Sequence, residues 1–83
     1  MTFYVIVTGQ PKKGESGIAL VDAASKKEAY EVTSYNFRKR NNLRNNVALI
    51  NRTVFESEDE NEAIEFHMKV FNQIREAGKV IDE

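Results

Sequence analysis

Hydrophobic positions near the start of the chain follow a pattern that predicts two β-strands. Residues 3–8 are β-branched and aromatic, and they are apolar at odd and even positions alike. A strand that is apolar on both sides usually lies in the middle of a sheet. A stretch rich in glycine and lysine follows over residues 9–17, and residues 18–21 then predict a second strand. We therefore expect an antiparallel hairpin whose first strand is central.

The pattern then changes to helical spacing. Ser25 and Glu28 form a capping box, in which the serine hydroxyl accepts the Glu28 amide and the Glu28 carboxylate reaches back to the serine amide. We expect this helix to end within residues 41–46, because asparagine tolerates left-handed backbone geometry and terminates helices well. Its side toward the core is predicted to carry Ala29, Val32, Thr33, Asn36, Phe37, Arg40 and Leu43.

A third strand and a second helix complete the chain. Residues 47–50 open the strand, which continues with a more polar character to residue 55. A second capping box, Ser57 with Glu60, predicts the next helix start, and Gly78 is expected to follow the helix end. Residues 80–81 are expected to pack back or to pair with a sheet edge. The apolar stripe of this helix is predicted to be Ala63, Ile64, His67, Val70, Phe71, Ile74 and Ala77.

The element order β-β-α-β-α predicts an α+β fold with a three-stranded antiparallel sheet. If the first strand is central, the strand order is 2-1-3 and a right-handed crossover connects strands 2 and 3. The simplest arrangement places both helices on one face of the sheet. The other face would then expose more apolar surface than a lone domain normally does. We therefore expect that open face, or a sheet edge, to be covered by a second copy or by another protein.

Composition narrows the class of protein. The 83 residues fit a single domain spanning positions 1–83. There is no cysteine and only one histidine, which excludes disulfides and makes a zinc site unexpected. The first residues lack a positively charged segment, and the apolar run after them is too short for a signal sequence or a membrane span. We expect a cytoplasmic protein without a cofactor.

Charge is divided along the chain although the net charge is only −1. Residues 26–52 carry a net charge of +5, and residues 53–83 carry −6. Such asymmetry is typical of a surface that meets a partner. It is equally consistent with two segments that attract one another.

Two features suggest catalysis, and each has a simpler explanation. Gly9 and Gly14 have the spacing of a phosphate-binding loop, but Glu15 stands where lysine is needed, and a strand follows instead of a helix. His67 is a candidate base, but its place on the apolar stripe of the second helix favours a buried structural histidine. The sequence therefore does not predict an enzyme.

An acidic cluster opens the second helix. Its carboxylates lack the spacing of a calcium-binding loop, and a helix start stabilises negative charge without any ligand. The alternative is an acidic surface that meets a basic partner. The residues of this second-choice contact surface are Glu58, Asp59, Glu60 and Glu62.

A basic cluster at the end of the first helix is the leading candidate for a contact surface. Arginine makes bidentate hydrogen bonds to carboxylates and phosphates, and an exposed tyrosine can stack on a nucleic-acid base. The cluster therefore predicts contact with a protein partner or, as the alternative, with nucleic acid. Against nucleic acid stands the isoelectric point of about 5.9. The residues of this cluster are Tyr35, Arg38, Lys39, Arg40 and Arg44.

The hairpin, the segment VDAASKKEAY at residues 21–30 and the strand after it resemble small phage-encoded proteins. Some of these proteins are inhibitors of host defence of the anti-CRISPR type, and others modify host machinery. The resemblance implies a non-enzymatic, stoichiometric inhibitor that binds a host protein or ribonucleoprotein complex. It implies no particular site residues.

Overall fold

Five elements follow one another in the predicted order. The structure, a computed structural model, describes residues 1–12 and 16–76. The strands are β1 (Thr2–Gly9), β2 (Ser16–Ala23) and β3 (Ile50–Ser57), and the helices are α1 (Lys26–Arg40) and α2 (Glu60–Glu76). The expectations made for Gly14, Glu15, Ala77, Gly78 and residues 80–81 fall outside the described residues.

β1 lies at the centre of the sheet, as its two apolar sides predict. It pairs antiparallel with both other strands, which gives the order β2-β1-β3 and confirms the α+β class. Val5 and Ile6 point to opposite sides of β1, and both are 0% exposed. The register with β3 shifts at this point, since Val5 faces Phe55 whereas Ile6 faces Thr53. This irregularity bends the β3 edge of the sheet.

β3 begins later than the sequence predicts. Its pairing with β1 starts at Ile50, opposite Gly9, the last residue of β1. The backbone of Val47 is used by a loop instead. Its amide donates to the carbonyl of Arg44 at 3.1 Å, and its carbonyl accepts from the guanidinium of Arg38 at 2.9 and 3.2 Å. The apolar residues 47–49 therefore belong to the connection that precedes the strand.

One predicted helix start is confirmed and the other is displaced. Ser25 caps α1, where its Oγ accepts the Glu28 amide at 3.2 Å. Ser57 does not cap α2, because it is the last residue of β3. Asp59 takes that role, and its Oδ1 accepts the amides of Asn61 at 2.9 Å and Glu62 at 3.4 Å. A carboxylate at this position satisfies free helical amides as well as a serine does.

The end of α1 confirms the expectation about asparagine. Asn41 is the C-cap, and Asn42 has a φ of 53°, in the left-handed region. Asparagine reaches that region at little cost, so the chain leaves the helix here.

α1 covers the side of the sheet that carries Tyr4 and Ile6. These two side chains form a buried cluster with Ala23 and Ala29, and Tyr30 of α1 packs against it. Polar contacts hold the helix to β3. The Tyr30 hydroxyl lies 2.8 Å from Thr53 Oγ1, and a second link joins the two elements one turn further along α1. There Asn51 Nδ2 donates to Ser34 Oγ at 2.8 Å.

α2 covers the opposite side, which corrects the expectation that both helices share one face. The ring of Phe66 stacks on Phe55 with centroids 4.4 Å apart. Phe55 is the direct partner of Val5, and directly paired residues point to the same side of a sheet. That side is the one opposite Tyr4 and Ile6. β1 is apolar on both sides because a helix covers each of them.

The expected open sheet face does not exist in this fold, since Val5 and Ile18 on the α2 side are 0% and 1% exposed. Among residues 1–12 and 16–76, no further strand pairs with the outer edge of β2 or of β3. Neither helix of the described chain has the length and apolar character needed to cross a membrane.

Candidate binding surfaces

The topology sends the basic and acidic clusters to opposite ends of the molecule. β2 and β3 both lie antiparallel to β1, so they end at the same end of the sheet. Each is followed by a helix after two residues, so both helices start at that end and finish at the other. The start of α2 with Glu58, Glu60 and Glu62 is called the acidic end. The finish of α1, the loop that follows it and the β1–β2 connection with Lys12 form the basic end.

The two clusters therefore do not neutralise one another. The long-range ion pair of the described chain lies within the acidic end, where Lys26 Nζ is 3.4 Å from Glu56 Oε1. Both side chains are about half exposed, 51% and 50%, so solvent weakens their attraction. The pair links the start of α1 to the end of β3.

Arg38 is turned toward the protein and away from solvent. Its Nε and Nη2 both donate to the carbonyl of Val47, and the side chain is half-buried. Because the guanidinium donates two hydrogen bonds to one carbonyl, it holds the loop between α1 and β3 against the end of α1. Arg38, predicted as a contact residue, therefore positions the loop that carries Arg44.

The remaining residues of the predicted basic cluster point in two directions. Tyr35 is 61% exposed, and Lys39 follows one turn later on the same outward side of α1. Arg44 is exposed in the loop beyond the helix. Arg40 instead lies on the side of α1 toward β2, where it lines a cleft. The structure thus places Tyr35 and Lys39 on the outward side of α1 and Arg44 in the loop beyond it, and it turns Arg38 and Arg40 in other directions.

The acidic candidates have two roles. Asp59 caps α2 through its carboxylate, as the amide contacts of Asn61 and Glu62 show. Glu58, Glu60 and Glu62 are exposed around it. Within residues 1–12 and 16–76, no group of three or more histidine or carboxylate side chains is placed to hold a metal ion.

A cleft of about 740 Å³ runs along the outer edge of β2 and was not predicted from the sequence. One wall is formed by α1 and the other by α2, because the helices lie on opposite faces of the sheet and both border this edge. Two large apolar side chains on its walls are exposed, Val32 at 42% and Met68 at 58%. The lining comprises residues 18–22 of β2, Val32, Thr33, Asn36 and Arg40 of α1, and His67, Met68, Phe71 and Asn72 of α2.

His67 lies in this cleft and is partly buried. Burial lowers its pKa below the usual 6.5, and a hydrogen bond to the backbone of Ile18 works in the opposite direction. Its ring lies 6.3 Å from that of Phe71. The carboxylate among the cleft residues is Asp22, at the far end of β2. His67 thus has the backbone contact expected of a structural histidine, although it is less buried than the sequence indicates.

The sequence held two signals for the cleft. β2 carries no lysine, arginine or proline, the residues that usually protect an edge strand. Val32 stands at the margin of the α1 stripe and Met68 beside the α2 stripe, where an exposed apolar side chain borders the sheet.

Comparison of the chain with protein-family models, with curated proteins and with solved structures found no significant match.

Proposed function

We propose that the protein is a non-enzymatic binding module that recognises another protein through its basic end. The observation that carries the proposal is the placement of two exposed clusters, with Lys12, Lys39 and Arg44 at the end of the fold where α1 finishes and Glu58, Glu60 and Glu62 at the opposite end. Separated charge of this kind steers a partner and fixes its orientation more than it adds affinity. The proposed contact surface is Tyr35, Lys39 and Arg44, with Lys12 at the same end of the fold.

Hydrogen bonds order the loop at the basic end. Arg38 fixes the carbonyl of Val47, and the amide of Val47 donates to the carbonyl of Arg44. The loop carrying Arg44 is thereby ordered before a partner arrives. A contact surface that is ordered in advance loses less entropy on binding.

Two observations support the non-enzymatic part of the proposal. Asp59 is engaged in capping α2, and Glu56 is paired with Lys26. His67 rests against the Ile18 backbone and the Phe71 ring. Asp59 and His67, two of the titratable groups that the sequence offered for chemistry, thus have structural contacts.

The resemblance to phage-encoded inhibitors favours a particular kind of partner. On that basis we propose a stoichiometric inhibitor that acts in the host cytoplasm on a host protein or ribonucleoprotein complex. A chain without cysteine loses no disulfide in such a reducing compartment.

Nucleic acid is the second candidate, and one observation favours it. Tyr35 is well exposed and lies one helical turn from Lys39, so a base can stack on the ring while the ammonium contacts phosphate. Exposed asparagines at positions 42, 45 and 46 surround Arg44. The same residues can also contact a protein, and the experiment below distinguishes a protein partner from a nucleic-acid partner.

The test is affinity capture from host lysate with three forms of the full chain. These are the wild type, the basic-end variant Lys39→Glu/Arg44→Glu and the matched acidic-end variant Glu58→Lys/Glu62→Lys. Arg38 is left intact because it holds the loop. Circular dichroism establishes that each form is folded.

We expect a host protein that the wild type and the acidic-end variant retain after nuclease treatment and that the basic-end variant loses. Loss of all captured material after nuclease would transfer the proposal to nucleic acid. Equal capture by all three forms would refute the assignment to the basic end.

A further inference from the structure

The two edges of the sheet differ in how well they are protected against pairing with another strand. β3 carries Arg52 and Glu56, and its register with β1 is interrupted opposite Val5 and Ile6. Charged side chains and irregular pairing both discourage the addition of a strand. β2 pairs with β1 without interruption over eight residues, and Asp22 is its one charged residue. β2 is therefore the less protected edge.

The backbone of β2 lies between the two walls of the cleft, where residues 18–22 line it. The amides and carbonyls of an edge strand that do not bond to the neighbouring strand point outward, which here is into the cleft. Among residues 1–12 and 16–76, no further strand pairs with them. His67 contacts the backbone of Ile18, so the open part of this row runs from there to Asp22. Another extended backbone satisfies such a row of alternating donors and acceptors, whereas a helix or a small ligand does not present the matching groups.

Side chains on both faces of the sheet border this edge. The register with β1 places Ala19 and Val21 on the α1 side, where Val32 is 42% exposed. It places Leu20 on the α2 side, where Met68 is 58% exposed. Successive side chains of an added strand point to the two sides in turn. A strand that fits this cleft is therefore apolar at consecutive positions, as β1 is.

Asp22 gives the cleft a negative charge at the end where β2 finishes. Its register with Phe3 places it on the α2 side, and it is exposed. No cation within residues 1–12 and 16–76 forms an ion pair with it. Arg40, which lines the other end of the cleft, is already engaged within the chain. A partner strand that places a lysine or an arginine directly opposite Asp22 is therefore complementary in charge.

We propose that the cleft binds an extended segment of another protein, which adds to β2 as a fourth strand. Antiparallel pairing, which both existing pairs of this sheet use, places the first residue of the segment opposite Asp22, and that residue is lysine or arginine. The next three residues are apolar and point to the α1 wall, the α2 wall and the α1 wall in turn. Backbone hydrogen bonds supply affinity, and the two walls together with Asp22 select the sequence. This surface is distinct from the basic end, since Lys39 and Arg44 do not line the cleft.

The first test is titration of the isotope-labelled full chain with the synthetic peptide acetyl-Lys-Val-Leu-Val-Thr-amide, followed by nuclear magnetic resonance. We expect saturable binding with a Kd below about 1 mM. The backbone amide signals of residues 18–22 should shift, and those of β3, the other edge, should not. Absence of binding, or shifts of equal size at both edges, would overturn the proposal.

Backbone methylation of the peptide separates strand pairing from apolar adsorption. In an added strand, alternate amides donate to the neighbouring strand and the amides between them point away from it. One peptide is therefore N-methylated at its second and fourth residues, and the matched peptide at its third and fifth. We expect one of them to bind like the unmodified peptide and the other to lose about tenfold or more in affinity. Equal affinities of the two methylated peptides would overturn strand addition.

Charge exchange tests the orientation of the segment. Asp22→Lys should weaken binding of the lysine peptide about fivefold, and a peptide that begins with glutamate should recover that loss. Glu58→Lys changes the net charge equally at the same end of the fold but outside the cleft, and it should leave the affinity unchanged. Equal losses from the two variants, or no recovery with the glutamate peptide, would overturn the pairing with Asp22.

Sedimentation equilibrium tests the alternative occupant, a second copy of the chain. We expect the chain without peptide to be monomeric at the concentrations of the titration. A dimer that Met68→Gln dissociates would place a second copy in the cleft and overturn the proposal. The basic-end variant Lys39→Glu/Arg44→Glu should bind the peptide like the wild type, so this result and the capture experiment fail or succeed separately.

Discussion

The ring of Phe66 in α2 stacks on Phe55 in β3 with centroids 4.4 Å apart and planes 10° from parallel. This contact fixes α2 to the side of the sheet opposite α1. Both rings are half-buried, so their truncation removes apolar contact without opening a large cavity. We expect Phe66→Ala to lower the free energy of unfolding by about 2–3 kcal/mol.

Urea unfolding at neutral pH measures this effect. Phe66→Leu, which keeps much of the apolar contact, should lose less than half as much. Tyr35→Ala changes an exposed ring and should alter stability by no more than about 0.5 kcal/mol. Equal losses for Phe66→Ala and Tyr35→Ala would show that the stack does not hold α2 in place.

Tyr30 and Thr53 connect α1 to β3 on the other face. The Tyr30 hydroxyl lies 2.8 Å from Thr53 Oγ1 and accepts the Thr53 amide at 3.2 Å. Tyr30→Phe removes this oxygen and leaves the amide without that partner, which should cost about 1–2 kcal/mol. A double-mutant cycle with Thr53→Val checks the pairing. Losses that simply add would contradict a direct interaction.

Arg38 is expected to act on the loop between α1 and β3 and to contribute less to the core. Arg38→Met keeps much of the apolar stem but loses both bonds to the Val47 carbonyl. We expect faster hydrogen exchange across residues 44–47 and a stability loss of about 1 kcal/mol. Lys39→Met, one position away, should leave exchange in that loop unchanged. If hydrogen exchange across residues 44–47 is as slow in both variants as in the wild type, Arg38 does not position this loop.

His67 should make stability depend on pH. Burial lowers its pKa in the folded protein, so the unfolded chain binds a proton more readily. The contribution of neutral His67 is complete above pH 6.5 and is lost as the pH falls from there toward the lowered pKa. Comparison of melting temperatures at pH 7.5 and pH 5.5 measures this loss. His67→Gln should show a smaller decrease than the wild type, and an equal decrease in both would contradict the assignment.

The strand order follows from sequence because one feature determines it. Residues 3–8 are apolar on both sides, and such a strand is stable only where both sides are covered. The placement of the helices does not follow as directly, because α2 can turn to either face after an edge strand. Polar Asn51 and Thr53 face α1, whereas Phe55 faces α2, because the register shift opposite Val5 and Ile6 lies between them. Residues two apart share one face of a regular strand, so the sequence does not show this change of side.

The contact surface was only partly predictable for a similar reason. Sequence shows that residues 35–44 are basic, but the direction of each side chain depends on the rotation of the helix against the sheet. That rotation turns Arg38 toward Val47 and Arg40 into the cleft, and it leaves Tyr35 and Lys39 outward. The cleft itself depends on the two helices lying on opposite faces, so the two sequence signals at its border do not by themselves predict it.

The most direct measurement of the central claim is site-specific photo-crosslinking in host lysate. Benzoylphenylalanine replaces Tyr35 at the basic end in one protein and Glu62 at the acidic end in another, and both samples are treated with nuclease. We expect a discrete protein adduct from position 35 and none from position 62. An adduct from position 62 alone, or an adduct at position 35 that contains nucleic acid and no protein, would contradict it.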